Sequence, residues 1–413
     1  MSKTAIIIGA GIAGPAAALS LIHYKSDYVP KLHELRSQPS TLGGAINLDP
    51  NALRVLKRLG LYEKILSAGQ VSTAIDVWSS VTGSKLGQLT MKYKDFKSVR
   101  IMRSTLHAIL LDACKEKNIQ IHYGRQLTNV DVETGSVEFK DGTKDSGDVI
   151  LGCDGTHSAL RQYVDGRKPN YTGIDGSFGF SDITTLSTTA RKELDHYLPR
   201  ESTNLIRSGR GNMILCYCDA TQPNLVYFGA VVEGHHTDEE ISDKAGWKAK
   251  GTDITNTRQN LVDRFGRQRL GFLTELLGQS TDLAFYPIYK LEAGEWIKGR
   301  VVLLGDAAHA MPPQGQGVGL ALEDAALLAR MLAGEAPTEK VLQKFEKTRK
   351  PRIQDSYEKV ARMKENVVDV AGGYWMNWIV EWMYWAALKL LARTVWGKDW
   401  GYNVDEIEIS VSG

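Results

Sequence analysis

Glycines, acids and arginines placed where strands end carry the candidate chemistry of this chain. The run IIIGAGIAG sets Gly9, Gly11 and Gly14 in GxGxxG register. Gly9 permits a tight turn after an apolar strand, Gly11 leaves room for a pyrophosphate beside the backbone, and Gly14 lets the next helix approach the sheet. The amino terminus of that helix would face the phosphate charge. Glu34 closes the following strand, where an acid bonds ribose hydroxyls and repels a 2′-phosphate. The pattern suits an adenine dinucleotide, either FAD or NAD.

Two further turns repeat the theme. GDVILGCDGTHSALR places Asp154 and Gly155 directly after a strand, with His157 and Arg161 following. Asp154 either accepts backbone hydrogen bonds in the turn or shapes a phosphate site through water, while Arg161 caps or pairs. RVVLLGDAAHAMPPQGQGVGLALEDAALLARML is more demanding. Its strand feeds Gly305 and Asp306, Pro312 and Pro313 stiffen a loop, and Gly315, Gly317 and Gly319 permit close backbone approach. A helix starting near Gln316 to Val318 offers free amides and a positive dipole end to negative charge, such as that of a reduced flavin, and Asp306 is placed to bind a ribityl hydroxyl. His309, in a crowded AAHA turn, reads as a backbone-bonded structural histidine rather than an acid–base group.

These turns need a scaffold. Residues 4–8, 12–25 and 30–35 read as strand, helix and strand, a βαβ opening. Helical patterns follow at 51–67, broken by a glycine, and at 101–116, with a short strand at 119–123. A hairpin is expected around Asp141-Gly142, its second strand running from Lys144 to Ile150 into LGCDG. From about 170 to 290 short β-like runs alternate with polar turns, interrupted by helical stretches at 253–265 and 268–278. RVVLLG resumes the buried-strand texture, followed by helices at 316–333 and 338–364. The expected fold is α/β: a Rossmann-like nucleotide domain in two parts, 1–169 and 291–364, around a β-rich insertion at 170–290, with a helical segment at 365–413.

Composition narrows the classes. With 50 Lys and Arg against 48 Asp and Glu, the net charge of +2 gives no basis for nucleic-acid binding. At 43% hydrophobic and 24% charged the 413 residues can build a substantial core. The four cysteines lack redox or zinc spacing, and the nine histidines, His235 and His236 included, form no metal-ligand pattern. The opening residues lack the long apolar core of a secretory peptide, so a reducing, cytoplasmic setting is expected. No GxSxG appears.

Taken in order, the motifs resemble those of the class A FAD-dependent aromatic hydroxylases, the single-component flavoprotein monooxygenases, over nearly the whole chain. GAGIAG with Glu34 is similar to the ADP-binding opening, and LGGAINLDPNALRVLKRLGL to the segment flanking the isoalloxazine path. RIMRSTLHAIL is similar to the arginine-bearing helix, CDGTHSALR to the DG motif, GDAAHAMPPQGQG to the GD motif, and FEKTRKPR to the helix beyond it. The resemblance implies FAD contacts at Gly9, Gly11, Ala13, Gly14, Glu34, Arg36, Gly44, Ala45, Arg103, Asp154, Asp306, Pro313, Gly315, Gln316, Gly317 and Val318. It implies a bound FAD reduced by transient NADPH or NADH, O2 as co-substrate, and a C4a-hydroperoxyflavin that hydroxylates or epoxidises an aromatic or polycyclic molecule. The β-rich insertion would cover the substrate. The single GxGxxG site fits a nicotinamide that only visits. A flavin oxidase or dehydrogenase on the same scaffold, a non-catalytic FAD-binding protein and a plain NAD dehydrogenase are the competing classes.

The substrate side is less specific. Tyr217 on MILCYC and Tyr227 on LVYFGA are candidates to face a pocket, and Arg207 or Arg210 to bind an acidic group, but no strand face is assigned and no catalytic base is named. Six of the nine tryptophans lie between Trp375 and Trp400. Trp375, Trp378, Trp382 and Trp385 share one broad helical face. That helix would pack over its own FAD domain, mediate a homodimer, or lie on a membrane surface and admit a lipophilic substrate.

Overall fold

The computed structural model describes residues 2–39, 43–208, 211–234, 253–266, 269–364, 381–383, 385–386, 388 and 397–409. The apolar run AIII and the runs VILG and VVL form the centre of a six-stranded sheet. Its order is Ile297–Lys298, Val301–Leu303, Val149–Gly152, Lys3–Ile8, Tyr28–His33, Ile121–His122. The inner pairs are parallel and buried on both faces, as continuous apolar strands require. Register aligns Ile8 with Gly152 and Gly152 with Leu303. The three glycine turns therefore leave adjacent strands at the same carboxyl edge, where open α/β sheets bind ligands.

The helix Ala13–His23 buries Ala16, Ala17, Ala18 and Leu21 against this sheet and packs along the later helix Gly317–Leu332. Small side chains permit that close approach. The expected helix at 51–67 is two, Pro50–Arg58 and Tyr62–Ala68, separated where Gly60 takes φ +77°. The expected helix at 101–116 begins at Arg103, because Phe96–Met102 is a strand paired with Ala45–Leu48. The hairpin at Asp141-Gly142 pairs Ser136–Phe139 with Lys144–Ser146 only. The chain then turns at Gly147, and Val149–Gly152 joins the parallel sheet instead.

A second, seven-stranded sheet has the order Thr281–Lys290, Asn170–Asp182, Leu225–Glu233, Asn212–Tyr217, Ser202–Arg207, Ala74–Ser79, Lys85–Thr90. Its last two strands come from within the first 169 residues, so the chain enters this layer before position 170. Alternation divides its faces. Met213, Leu215, Tyr217, Phe228 and Ala230 pack with helices Thr188–Tyr197 and Phe272–Gly278. Phe178, Phe180, Ile214, Cys216 and Tyr227 lie on the opposite face with Ala45 and Met102. All four cysteines are buried and unpaired by disulfide.

Beyond residue 364 the description is partial, and Trp375 and Trp378 lie outside it. Glu381 accepts hydrogen bonds from Ser79 Oγ and, at 2.8 Å, from Thr82 Oγ1, so this segment touches the edge of the second sheet. Trp382, Met383 and Trp385 are exposed, whereas Trp400 is buried. Residues 397–409 return to the first layer: Arg54 donates to the Tyr402 carbonyl at 2.7 Å and Arg330 to the Val404 carbonyl at 2.7 Å. Among the described residues, no helix is long and apolar enough to cross a membrane.

Candidate functional site

Close packing shapes the first turn. Gly9 has φ +102°, and a Cβ there would collide with the Cys153 carbonyl. A Cβ on Gly14 would collide with the Gly9 carbonyl oxygen, whereas one on Gly11 would meet nothing within 4 Å. Two glycines thus serve packing and the third borders open space. The peptide of Ala10 is held from both sides. Its N–H donates to Glu34 Oε2 at 2.8 Å, and its carbonyl lies 2.6 Å from His107 Nε2. A carbonyl can only accept, so Nε2 is the protonated nitrogen. The second Glu34 oxygen accepts from the Arg36 backbone at 3.0 Å and lies 3.6 Å from its exposed guanidinium. Glu34 therefore clamps the loop from where a ribose was expected to claim it.

His107 was not singled out in the sequence, although its place in RSTLHAIL, four residues after Arg103, is visible there. Its expected role can be checked directly. His107→Ala should weaken FAD binding roughly fivefold, the equivalent of one net buried hydrogen bond. Fluorescence titration of apoprotein with FAD measures this, and His107→Gln should recover part of it. An alanine variant with wild-type affinity would remove the assignment.

The second turn is stitched to the third. Arg161 is buried and donates to the carbonyls of Arg167 at 2.9 Å, Thr156 at 2.6 Å and Ala307 at 2.9 Å. It joins the loops rather than offering a free cation. Asp154 Oδ2 accepts from the Leu160 N–H at 3.1 Å. Its other oxygen is sealed without a protein partner, and burial pushes this carboxyl up. His157 is exposed and meets Tyr289 edge-on.

At the third turn Gly305 takes φ +58° and donates its N–H to Asp324 Oδ2 at 2.9 Å. His309 bonds the same oxygen at 2.7 Å, so its partner is a carboxylate rather than backbone. Asp306 begins the short helix Asp306–His309. It is accessible, yet protein crowds around it closely enough that burial raises its carboxyl against the attraction of His309 and Arg103. A side chain both accessible and enclosed lines a cleft. Arg103, opposite, is shifted down by burial and held up by Asp306. Among the described residues no direct ion pair closes the space between them.

The helix Gly317–Leu332 opens towards this cleft. Gly315 has φ +81° and lies near Asn47, and a Cβ on Gly317 would meet nothing within 4 Å. Pro313 is exposed and Val318 half-buried beside it. Gln316 Nε2 donates to buried Asp49 Oδ2 at 2.7 Å, so its side chain anchors the loop to the carboxyl that also accepts from Ser98 Oγ at 2.8 Å. On the far wall, Gly43 lies against Arg103 and Gly44 against Tyr227 and Phe178, with Ala45 following. Tyr227 thus reaches the cleft, whereas Tyr217 faces the helices and stacks with Arg200 at 4.1 Å. Arg207 ends its strand opposite Asn212, four residues along from Cys216, the partner of Tyr227, and Arg210, His235 and His236 lie outside the described residues.

The family model described as "FAD binding domain" matches residues 2–360. The chain belongs to the FAD-dependent aromatic hydroxylases. It is 30% identical to the 2-heptyl-3-hydroxy-4(1H)-quinolone synthase of Pseudomonas aeruginosa, over 85% of this chain and 86% of that one. Identity to the 3-amino-4-hydroxybenzoate 2-monooxygenase PtmB3 of Streptomyces platensis is 27%, over 84% of each. In fold it is similar to Klebsiella pneumoniae HpxO complexed with FAD and uric acid, with a TM-score of 0.75 and 22% identity, over 98% of this chain and 96% of that one. This hydroxylase is an FAD-dependent monooxygenase. The open space at Gly11, the sealed oxygen of Asp154 and the gap between Arg103 and Asp306 fit an extended dinucleotide.

Proposed function

We propose that the protein uses NADPH or NADH and O2 to hydroxylate or epoxidise an apolar aromatic or polycyclic small molecule held between the cofactor cleft and the second sheet. The observation that carries this reading is the juxtaposition at Gly43-Gly44. One side of that backbone bears on Arg103, which faces Asp306, and the other on Tyr227 and Phe178. A polar cofactor cleft and an aromatic wall share a border one residue wide. The relatives named as a monooxygenase of an aminohydroxybenzoate and as a synthase of a heptyl-hydroxyquinolone support an aromatic substrate.

When bound, FAD supplies acceptance of hydride from the nicotinamide and activation of O2 for transfer to the ring. The chain supplies place and field. Gly11, in the turn that Gly9 and Gly14 close by packing, and the first amides of Ala13–His23 would hold the pyrophosphate. Glu34, with Arg36 beside it, orders the ribose end, Asp154 its neighbouring turn, and Asp306 and Arg103 the ribityl region. Pro313 to Val318 present backbone to the ring system, and the helix dipole there favours the negative charge of the reduced state. The aromatic wall with Gly44 and Ala45 excludes water from the reacting face.

Anaerobic mixing of the purified yellow protein with NADPH or NADH and candidate aromatics, followed by labelled O2 and mass analysis, tests the reading. Substrate-accelerated reduction and gain of one labelled oxygen atom are expected. Hydrogen peroxide as the sole reduced-oxygen product would make the protein an oxidase. The exposed Trp382, Met383 and Trp385 support an apolar contact for the carboxyl-terminal segment, at a membrane surface or a second copy. Flotation with lipid vesicles and sedimentation velocity distinguish these two.

A further inference from the structure

The buried carboxyl of Asp49 gathers donors from separate stretches of the chain. Oδ1 accepts from Asn47 Nδ2 and, at 2.8 Å, from Ser98 Oγ, while Oδ2 accepts from Gln316 Nε2 at 2.7 Å. The indole N–H of Trp400 is directed at the same carboxyl. Burial pushes this acid up, against Ser98, Arg100, Asn47 and Trp400, which favour its charge. Arg100 is the cation among them, and its Nε also donates to Thr203 Oγ1 at 3.1 Å. Gln316 stands immediately before the helix Gly317–Leu332, whose first amides are free to meet an anion. Among the described residues it is the side chain of 312–316 that bonds out of this loop, since Gln314 bonds back to Met311 Sδ at 3.1 Å. Gln316 Oε1 is sealed without a partner among the described residues, so the bond to Asp49 sets the orientation of the amide. Gly315 and Gly317 on either side give the backbone little stiffness of its own.

Trp400 comes to Asp49 from the far end of the chain. The short helix Gly397–Gly401 packs on Pro50–Arg58, the helix that Asp49 precedes. Arg54 on that helix donates to the carbonyls of Trp400 and Tyr402, the second at 2.7 Å. Asp399 is buried and pairs with Arg352 and Lys359. The Tyr402 ring lies 5.2 Å from the Arg349 guanidinium and 5.1 Å from that of Arg352. Residues 399–402 are therefore clasped to the body by cations on two helices. The match to the family model ends at residue 360, so this clasp belongs to the part of the chain beyond it.

We infer that Asp49 and Trp400 are positioning residues of the cofactor site: Trp400, delivered by the carboxyl-terminal clasp, holds the Asp49 carboxylate, which holds Gln316 and through it the amides that open the helix Gly317–Leu332. Neither side chain need touch the cofactor. Their effect is to fix where backbone donors point, and small displacements of such donors are costly. The inference rests on the proposed function in placing the ring system of FAD against Pro313 to Val318. It deepens that reading by making a segment outside the matched domain part of the cofactor site.

FAD titration of the full-length apoprotein and visible-region circular dichroism of the bound flavin test this without turnover. Trp400→Phe keeps a ring in place and removes the N–H, so FAD should bind roughly fivefold more weakly. Asp49→Asn keeps the shape and removes the charge, and should cost about tenfold or more. Both should alter the dichroism of the bound flavin. The double variant should match Asp49→Asn alone, because Trp400 acts through Asp49. Should Asp49→Asn not fold, Gln316→Met keeps the length, removes the donor and supplies the same cycle. Arg58→Ala loosens the later part of the clasp, where Arg58 bonds Asn403 Oδ1 at 2.7 Å and pairs with Asp405, and should leave the flavin spectrum unchanged. Wild-type affinity and dichroism in Trp400→Phe, losses that multiply in the double variant, or the same spectral change in Arg58→Ala would overturn the inference and leave the cofactor reading standing. A wild-type protein that binds no FAD would remove both.

Discussion

Arg349→Leu should destabilise the protein by about 3–5 kcal/mol, the cost of stranding buried carboxylates by removing their partner. Arg349 is fully buried. Its Nε donates to Asp324 Oδ1 at 2.8 Å, Nη1 to Glu323 Oε2 at 3.0 Å, and Nη2 to the Leu320 carbonyl at 3.3 Å. Asp324 in turn holds Gly305 and His309, while Glu323 accepts from Asn51 at 2.6 Å. One guanidinium thus ties the third turn, which presents Asp306, to two helices. Urea unfolding should record the loss, and FAD retention should fall with it because the turn is released. A loss below about 1 kcal/mol would mean the carboxylates reach other partners or water.

The same network sets an acid limit. Burial alone would raise Asp324, but attraction to His309 and Arg349, with hydrogen bonds from His309 and Gly305, overcomes it and brings this carboxyl down to about 2. A folded-state value below the ordinary one contributes stability that is present above about pH 4. It is lost as pH falls through about 2. Wild type should lose this contribution across that window, and Asp324→Asn should flatten that part of the profile.

Gly9→Ala and Gly11→Ala should part company, although only Ala10 separates the two glycines in the motif. At Gly9 an alanine would pay about 1–2 kcal/mol for the left-handed backbone and roughly 1–3 kcal/mol for overpacking against Cys153. The Cβ would sit 2.7 Å from the Cys153 carbonyl carbon and 2.9 Å from Asp154 Cα, both backbone atoms of the adjacent strand's turn. Relief requires parting strands that are hydrogen-bonded up to Ile8 and Gly152. The expected outcome is a poorly soluble or much less stable protein. At Gly11 the Cβ enters open space, so apoprotein stability should stay within about 0.5 kcal/mol of wild type. FAD affinity should nevertheless drop about tenfold or more, a loss of at least 1.4 kcal/mol, because in the proposed reading the pyrophosphate would pass through that space. Thermal melting of apoprotein and FAD titration give the two readouts. A Gly11→Ala variant with wild-type affinity would move the pyrophosphate elsewhere.

The site was unevenly legible. Gly9, Gly11, Gly14, Asp154 and Asp306 announced themselves because each obeys a local constraint: a turn needing positive φ, a helix start, or an acid directly after a strand. Their coming together was not local. It depends on Val149–Gly152 and Val301–Leu303 lying beside Lys3–Ile8 across separations of well over a hundred residues. His107, Arg349 and the Asp49 cluster act through partners distant in the chain, and no short spacing marks them. Glu34 was recognised by position, but its bond to the Ala10 amide is a tertiary fact. The boundary at 169/170 followed a change in sequence texture, which cannot reveal that 74–79 pairs with 202–207, more than a hundred residues later, and carries 85–90 into the same sheet.

Tyr217 and Tyr227 show where sequence stops. Each sits on an alternating apolar strand with partners enough for either face, and both faces of this sheet carry buried apolar residues, so hydrophobic pattern alone does not orient them. Register decides: Tyr227 turns to Gly44 and the cleft, Tyr217 to Arg200 and the helices. By itself the sequence determined the α/β class, the three glycine turns and their order, since each is written in backbone-compatible residues a few positions apart. Only the tertiary structure decided which aromatic face meets the cofactor cleft and which buried ions hold the turns. Those depend on strand register and on contacts between elements that the chain brings together only when it folds.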